Sequence, residues 1–364
     1  MRIAQIVPLQ VAVPPHGYGG TERVVYELTE ALVRLGHEVT LFATGDSHTS
    51  ARLVPIVGRA INFNSEIDAT AYHMAMLDEV YDSAGRFDVI HSHLDYLTLP
   101  FACRAATPTV LTLHGHLTAP DARHMYMRYR EANYVSISDD QRAGMPDLHY
   151  VATVHHGVDV DSFPFSAEPG TYLAFVGRMS PEKRPDVAIS IATHAGIPLK
   201  IAAKIDHKEE PYFREVVQPL LDHPLIEWLG QIDEQAKREL MVHALALVMP
   251  INWPEPFGMV FIESLACGTP VLTCPCGSVP ELLRDGVTGF SSTDTDALVA
   301  AAREIHRISR LGCRAYAKRH FDTRLMVSRY VDVYAQLLGN EHWQLPWGEW
   351  HEAGHDSSAG PAYN

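Results

Sequence analysis

Lysine is missing from the first half of this 364-residue chain; every basic side chain before Lys183 is an arginine. Positive charge is short throughout, with 29 Lys+Arg against 44 Asp+Glu and a formal net charge of −15. The deficit is spread evenly. Residues 1–165 hold 11 cations against 19 anions, and residues 166–364 hold 18 against 25. Phosphate-backbone binding needs a basic surface, and so does stable docking on anionic lipid, so neither is the main role. Cysteine is scarce as well: Cys103, Cys267, Cys274, Cys276 and Cys313 are an odd, scattered set and not a disulfide framework. The one C-x-C, in "LTCPCGS", has no second pair to complete a four-ligand zinc site. No apolar run approaches the ~20 residues of a membrane helix, and "MRIAQIVPL" is broken by Pro8 too early for a secretory leader. A soluble, cytoplasmic protein without nucleic-acid partners is expected. G-x-G-x-x-G, Walker and G-x-S-x-G motifs are also absent.

What is present is enough for a sizeable core, at 46% hydrophobic and 20% charged residues, over a length that suggests about two domains. "RIAQIV" reads as a buried strand, "PPHGYGG" as a glycine turn, and "TERVVYELTEALVRLGH" as an amphipathic helix capped by Thr21 and stopped by Gly36. "HEVTLFAT" follows as a strand, giving a β-α-β unit and hence a parallel sheet. Further apolar runs end in polar residues: "FDVIHSH", "TPTVLTLHGH" and "NYVSISDD". After the connector "HHGVDVDSFPFSAEPG" the alternation restarts through "TYLAFVG", "RPDVAISIATHAG", "LKIAAK", "LIEWLG", "EQAKRELMVHA", "ALALVMP", "GMVFIESLACG" and "TPVLTCP". The reading is α/β: two doubly wound domains in series, facing across a cleft.

Chemistry concentrates in a few stretches. In "PEPFGMVFIESLACGTPV", Glu255 stands between Pro254 and Pro256, which keeps it out of a helix. Glu263 lies in the first turns of the helix that Phe257, Gly258, Met259 and Val260 open, where amides are free and the helix end is partly positive. Two carboxylates beside those amides suit a clamp for hydroxyls; a glutamate offsetting the helix dipole and a solvated loop glutamate are the alternative. "VGRMSPEKRP" brings Arg178 and Lys183 to one strand end, as a pyrophosphate site or as a solvated basic turn. Gly19 and Gly20 in "HGYGGTER" open a route for backbone amides to a phosphate, or simply make a tight turn. Histidines gather at strand ends as His91 and His93, His114 and His116, and His155 and His156. H-x-H invites a metal, but no H-E-x-x-H accompanies it and hydrogen-bonded structural histidines fit most of them; His114 is the one expected to touch substrate. "DVD" (159–161) and "DTD" (294–296) match a metal-binding D-x-D, yet sit where turn or capping carboxylates belong.

Taken in order, "GYGGTERVVYELTEALVRLGHEVTLFA", "DVIHSH", "TLHG", "HHGVDVDSF", "FVGRMSPEKRPD", "PEPFGMVFIESLACGTPV" and "GSVPELLRDGVTGF" resemble the retaining, GT-B-fold glycosyltransferases of family four, to about residue 335. The opening "VPPHGYGGTERVV" is similar to the subgroup that includes the avilamycin-pathway enzyme. The resemblance implies two Rossmann-like domains, residues 1–160 plus 320–340 on the acceptor side and 166–318 on the nucleotide-sugar side, with a Trp-containing extension over 341–364. It implies a metal-independent, cofactor-free transfer of a hexose from a nucleoside-diphosphate sugar, UDP favoured, to a hydroxyl of a small molecule or glycan. It implies that Glu263 holds ribose hydroxyls, and that Glu255 and the amides of Phe257, Gly258, Met259 and Val260 hold the sugar. Arg178, Lys183, Gly19 and Gly20 fall to the diphosphate, and His114 to a place beside the sugar. His156, Cys276, Ser278 and Trp253 depart from the family's usual residues, and Arg123, Arg128 and Arg130 either face the acceptor or form a solvated helix face. The rival readings are a sugar-nucleotide 2-epimerase, a phosphorylase and a sugar-nucleotide-binding protein without turnover.

Overall fold

The structure is a computed structural model, described here for residues 1–17, 19–62 and 67–339; the extension over 341–364 lies outside the described residues. Long apolar runs with no polar alternation build parallel strands covered on both faces. One sheet joins β1 (Arg2–Ile6), β2 (Glu38–Thr44), β3 (Arg52–Val57), β4 (Val89–Ser92), β5 (Thr109–Thr112), β6 (Asn133–Ser136) and β7 (Tyr150–Thr153) in the order β3-β2-β1-β4-β5-β6-β7. The second joins β8 (Leu173–Arg178), β9 (Leu199–Lys204), β10 (Ile226–Gly230), β11 (Ala246–Met249), β12 (Val271–Thr273) and β13 (Gly289–Ser291) in the order β10-β9-β8-β11-β12-β13. All neighbouring strands pair in parallel. Each sheet therefore reverses its winding once, between β1 and β4 and between β8 and β11, and ligands of doubly wound sheets sit outside the strand ends at such points.

Six helices carry the argument: α1 (Gly20–Arg34), α2 (Pro185–Ala195), α3 (Glu234–Val242), α4 (Met259–Ala266), α5 (Arg310–Phe321) and α6 (Thr323–Leu337). Helix α1 does not start as expected. Gly19 takes the N-cap place, no side chain caps the end, and Thr21 is already inside the first turn. Glycine's freedom lets the chain enter the helix straight from the loop, so the first amides stay unclaimed. Gly36, at φ 83°, ends the turn that follows the helix, as expected. Helix α4 begins the same way, from Gly258 at φ 87° and without a side-chain cap. Asp233, Asp294, Ser309 and Asp322 each accept a hydrogen bond from the helix that follows, whereas α2 starts from Arg184 without a side-chain cap.

The last helix belongs with the first sheet. Met326, Tyr330, Val331 and Tyr334 of α6 are buried with Ile3, Val24, Leu28, Val89 and Val110. The chain crosses back beside the connector, where the Val158 N–H donates to Phe321 O (2.9 Å) and the Thr323 N–H to Val158 O (3.0 Å). No helix among the described residues is long and apolar enough to cross a membrane.

Candidate functional site

A cleft of about 530 Å³ opens between the two sheets, within the usual size for a ligand pocket. Gly19, Gly20, His114, Arg178, Lys183, Glu255, Phe257, Gly258, Met259, Val260 and Glu263 all line it. The structure thus brings these candidate residues and the uncapped starts of α1 and α4 to one place. The strand ends explain this: Gly19 and Gly20 follow β1, His114 follows β5, Arg178 closes β8 and Glu255 follows β11.

Glu255 and Lys183, assigned separately to sugar and diphosphate, form an ion pair with each other. Trp253 Nε1 also donates to Glu255 Oε2 (2.9 Å), and Lys183 lies 5.1 Å from the centre of the Trp253 ring. Gly277 lies against this loop so closely that a Cβ there would collide with the backbone of Pro254 and Glu255. The Ser278 N–H donates to Glu255 O (3.0 Å) and its hydroxyl to Phe257 O (2.7 Å). The departures at Ser278 and Trp253 are therefore part of what holds the carboxylate. Arg178 stands 3.8 Å from Asp206 and 3.9 Å from Glu209, and its Nε is buried without a hydrogen-bond partner among the described residues.

Glu263 is almost fully buried, and its counter-charge escaped sequence reasoning. Lys237 Nζ donates to Glu263 Oε2 (2.9 Å) and also lies 2.9 Å from Glu234. Glu234 in turn meets Arg23 of α1 at 3.1 Å. Burial pushes Glu234 upward, but Lys237 and Arg23 outweigh it and hold the carboxyl below its ordinary value. Lys237 and Glu234 stand one helical turn apart; the fold adds Glu263 and Arg23. Glu22, also unremarked in the sequence, lines the cleft, and burial raises it to about 7.

The histidines form a wired stack. His93 Nδ1 and His114 Nε2 are 2.7 Å apart, and His93 Nε2 is 3.0 Å from Gln5 Oε1. His91 bonds Tyr334 Oη and Thr112 Oγ1, each at 2.7 Å. All four ring nitrogens of the H-x-H pair are engaged in hydrogen bonds, which argues against a metal there. His156 stacks on His114, ring centres 5.1 Å apart and 21° between planes. Burial lowers His114 to about 3 and pushes His91, His93 and His156 well below their ordinary value.

The remaining sequence candidates lie elsewhere. Arg123 donates to Gly144 O (3.1 Å), Arg128 sits over Tyr129 and Arg130 pairs with Glu131 (3.1 Å); none of the three lines the cleft. Asp161 pairs with Lys318 (2.7 Å), and Asp294 caps a helix by accepting from the Asp296 N–H (2.9 Å). His155 pairs with Glu281 (2.9 Å), which also accepts from the N–H groups of Asp139 (2.8 Å) and Asp140 (2.9 Å) and so ties the two halves together.

Two family models match successive parts of the chain: Glycosyltransferase Family 4 over residues 18–162 and Glycosyl transferases group 1 over 161–319. The chain is 28% identical over 371 residues to phosphatidyl-myo-inositol mannosyltransferase of Mycobacterium leprae, a match covering 92% of this chain and 96% of that one. It shares the fold of a glycosyltransferase involved in avilamycin A biosynthesis, with TM-score 0.73 and 23% identity over 94% of this chain and all of that one. It also shares the fold of an Anabaena protein crystallised with UDP and glucose, with TM-score 0.71 and 17% identity over 92% of this chain and 99% of that one.

Proposed function

The chain belongs to the family-four glycosyltransferases of GT-B fold, and from that premise we propose that it moves a hexose from a UDP-sugar to an acceptor hydroxyl, with retention and without a metal. The observation that carries this is the convergence of Arg178, Lys183, Glu255, Glu263 and His114 with two uncapped helix ends on one cleft. Glu263 accepts from the ribose diol, its second oxygen already held by Lys237. Arg178, Lys183 and the first amides of α1 stabilise the charge that grows on the departing diphosphate; such preorganised electrostatics are worth several kcal/mol, roughly 3 for a single donor. On donor binding Lys183 turns part of its hydrogen bonding from Glu255 to phosphate, and Glu255 turns to sugar hydroxyls. Because Glu255 is held by Trp253 and turned to sugar hydroxyls, it is a poor covalent nucleophile. The reading is therefore a front-face displacement in which the leaving phosphate takes the acceptor's proton. The choice of UDP draws support from the Anabaena neighbour, which was crystallised with UDP and glucose. The acceptor is a small molecule or glycan.

The test is incubation with UDP-hexoses and a panel of hydroxyl acceptors in EDTA, following UDP release and the anomeric configuration of the product by proton NMR. An axial donor giving an axial glycoside supports the reading; an inverted product, a changed sugar nucleotide with no glycoside, or loss of turnover in EDTA contradicts it.

A further inference from the structure

The hydrogen-bond directions in the histidine stack have a consequence for which donor sugar the cleft accepts. Gln5 Nε2 donates to Tyr334 Oη (3.3 Å), which leaves Gln5 Oε1 facing His93 Nε2 at 3.0 Å. A carboxamide oxygen only accepts, so His93 Nε2 carries the proton. His93 is almost fully buried, which keeps it neutral, and its Nδ1 is then a bare acceptor. The atom 2.7 Å from that Nδ1 is His114 Nε2, which must donate. His114, also neutral, has one ring proton and has spent it inward. Its Nδ1 is left without a proton or a partner among the described residues, on a side chain that lines the cleft. The other arm accommodates the same directions: with Tyr334 Oη accepting from Gln5, its O–H is free to donate to His91 Nδ1, and His91 Nε2 then donates to Thr112, both contacts at 2.7 Å.

We propose that Gln5 and His93 are positioning residues that hold His114 as its Nε2–H tautomer, so that the cleft meets a bare Nδ1 which accepts from a hydroxyl of the donor sugar and rejects a carboxylate at that place. The donor class is a neutral sugar with a free hydroxyl there, not a uronic acid. A lone-pair acceptor facing a carboxylate leaves both groups unpaired, and sites built on one polar contact discriminate strongly when it fails. Reversing the Gln5 amide would reverse every proton in the line and present an N–H to the cleft, so the two arrangements differ in an observable way. The sugar-selection half of this proposal rests on the donor-site reading above; the tautomer half does not.

The experiment labels histidine with ¹⁵N, assigns His114 by comparison with His114→Gln, and reads the ring by long-range ¹H–¹⁵N correlation at neutral pH in nucleotide-free protein. The expected result is a protonated Nε2 and a bare Nδ1 in wild type, a mixture in Gln5→Leu, and the wild-type pattern restored in Gln5→Glu, which keeps an accepting oxygen. An Nδ1–H tautomer or an imidazolium in wild type overturns the proposal. So does a tautomer that Gln5→Leu leaves unmoved. Calorimetric titration of UDP-glucose and UDP-glucuronate into the wild type then tests selection. A preference of roughly tenfold or more for the neutral sugar is expected, narrowed in Gln5→Leu, and equal affinity overturns the selection. Failure of UDP itself to bind is failure of the donor-site reading and leaves the tautomer result to stand or fall separately.

Discussion

The Lys237 ammonium stands 2.9 Å from the buried carboxylate of Glu263, the group proposed to hold the ribose. Removing one partner of such a pair leaves an uncompensated charge and costs about 3 kcal/mol or more. Lys237→Met is expected to lower the urea midpoint correspondingly. It is also expected to raise the KM for the nucleotide sugar more than it lowers kcat, because ribose contacts are made equally in ground and transition states. Unchanged KM with reduced kcat would place Lys237 elsewhere in the mechanism.

Acid should destabilise the protein through its buried histidines. His114 at about 3 and His37 at about 4, both driven down by burial, lie below the ~6.5 of an unfolded histidine. Between those values the unfolded chain binds protons that the folded chain refuses, so stability is full above about pH 6.5 and falls as pH drops. Glu22 works in the opposite sense. Burial raises it to about 7, so its ionisation costs stability as pH rises from about 4.5 to 7. Urea midpoints measured from pH 4 to 8 should show the acid slope flattened in His114→Gln, and a gain at pH 8 in Glu22→Gln.

Gly277 should matter without touching any ligand. Its φ of 61° is unfavourable for a side chain, and a Cβ there collides with the Glu255 backbone. Gly277→Ala is expected to displace the donor loop and weaken binding of a nucleotide sugar more than binding of the bare nucleotide. Equal losses for both, read by calorimetry, would mean that the loop does not contact the sugar.

Glu281 bridges the halves, accepting from Asp139, Asp140 and His155. Its carboxyl is raised by burial but more strongly lowered by His155 and the two amides. Glu281→Ala should therefore loosen the interdomain contact, with a larger radius of gyration in small-angle scattering that nucleotide reverses. An unchanged radius would show that Glu281 does not set the opening.

The sheets were legible because parallel strands buried on both faces are nearly continuous apolar runs, as in "RIAQIV" and "ALALVMP". Strands β3, β7 and β13 were not: all three are partly exposed, β13 has only three residues, and β3 carries Pro55. The glutamates, the two cations and His114 were legible as motifs that the sequence keeps close together. Lys237, Arg23, Gln5 and His93 were not, because their meaning comes from partners that only the fold brings near: Glu263 from another helix, Glu234 from the other half of the molecule, His114 from the next strand. Thr21 was misjudged as a cap because glycine, whose backbone freedom replaces a cap, leaves no side-chain signal.

The central claim is a nucleoside-diphosphate site clamped by Glu263. Its most direct test is calorimetric titration of UDP, GDP, ADP and dTDP, with and without EDTA, into wild type, Glu263→Gln and Glu263→Ala, with folding of each variant checked by circular dichroism. Tight binding of UDP that ignores EDTA and weakens at least about tenfold, about 1.4 kcal/mol, in both folded variants is the predicted result. Binding of none of the four, or binding abolished by EDTA, would contradict the account and return Glu255 and Glu263 to the roles of metal ligand or helix-end charge.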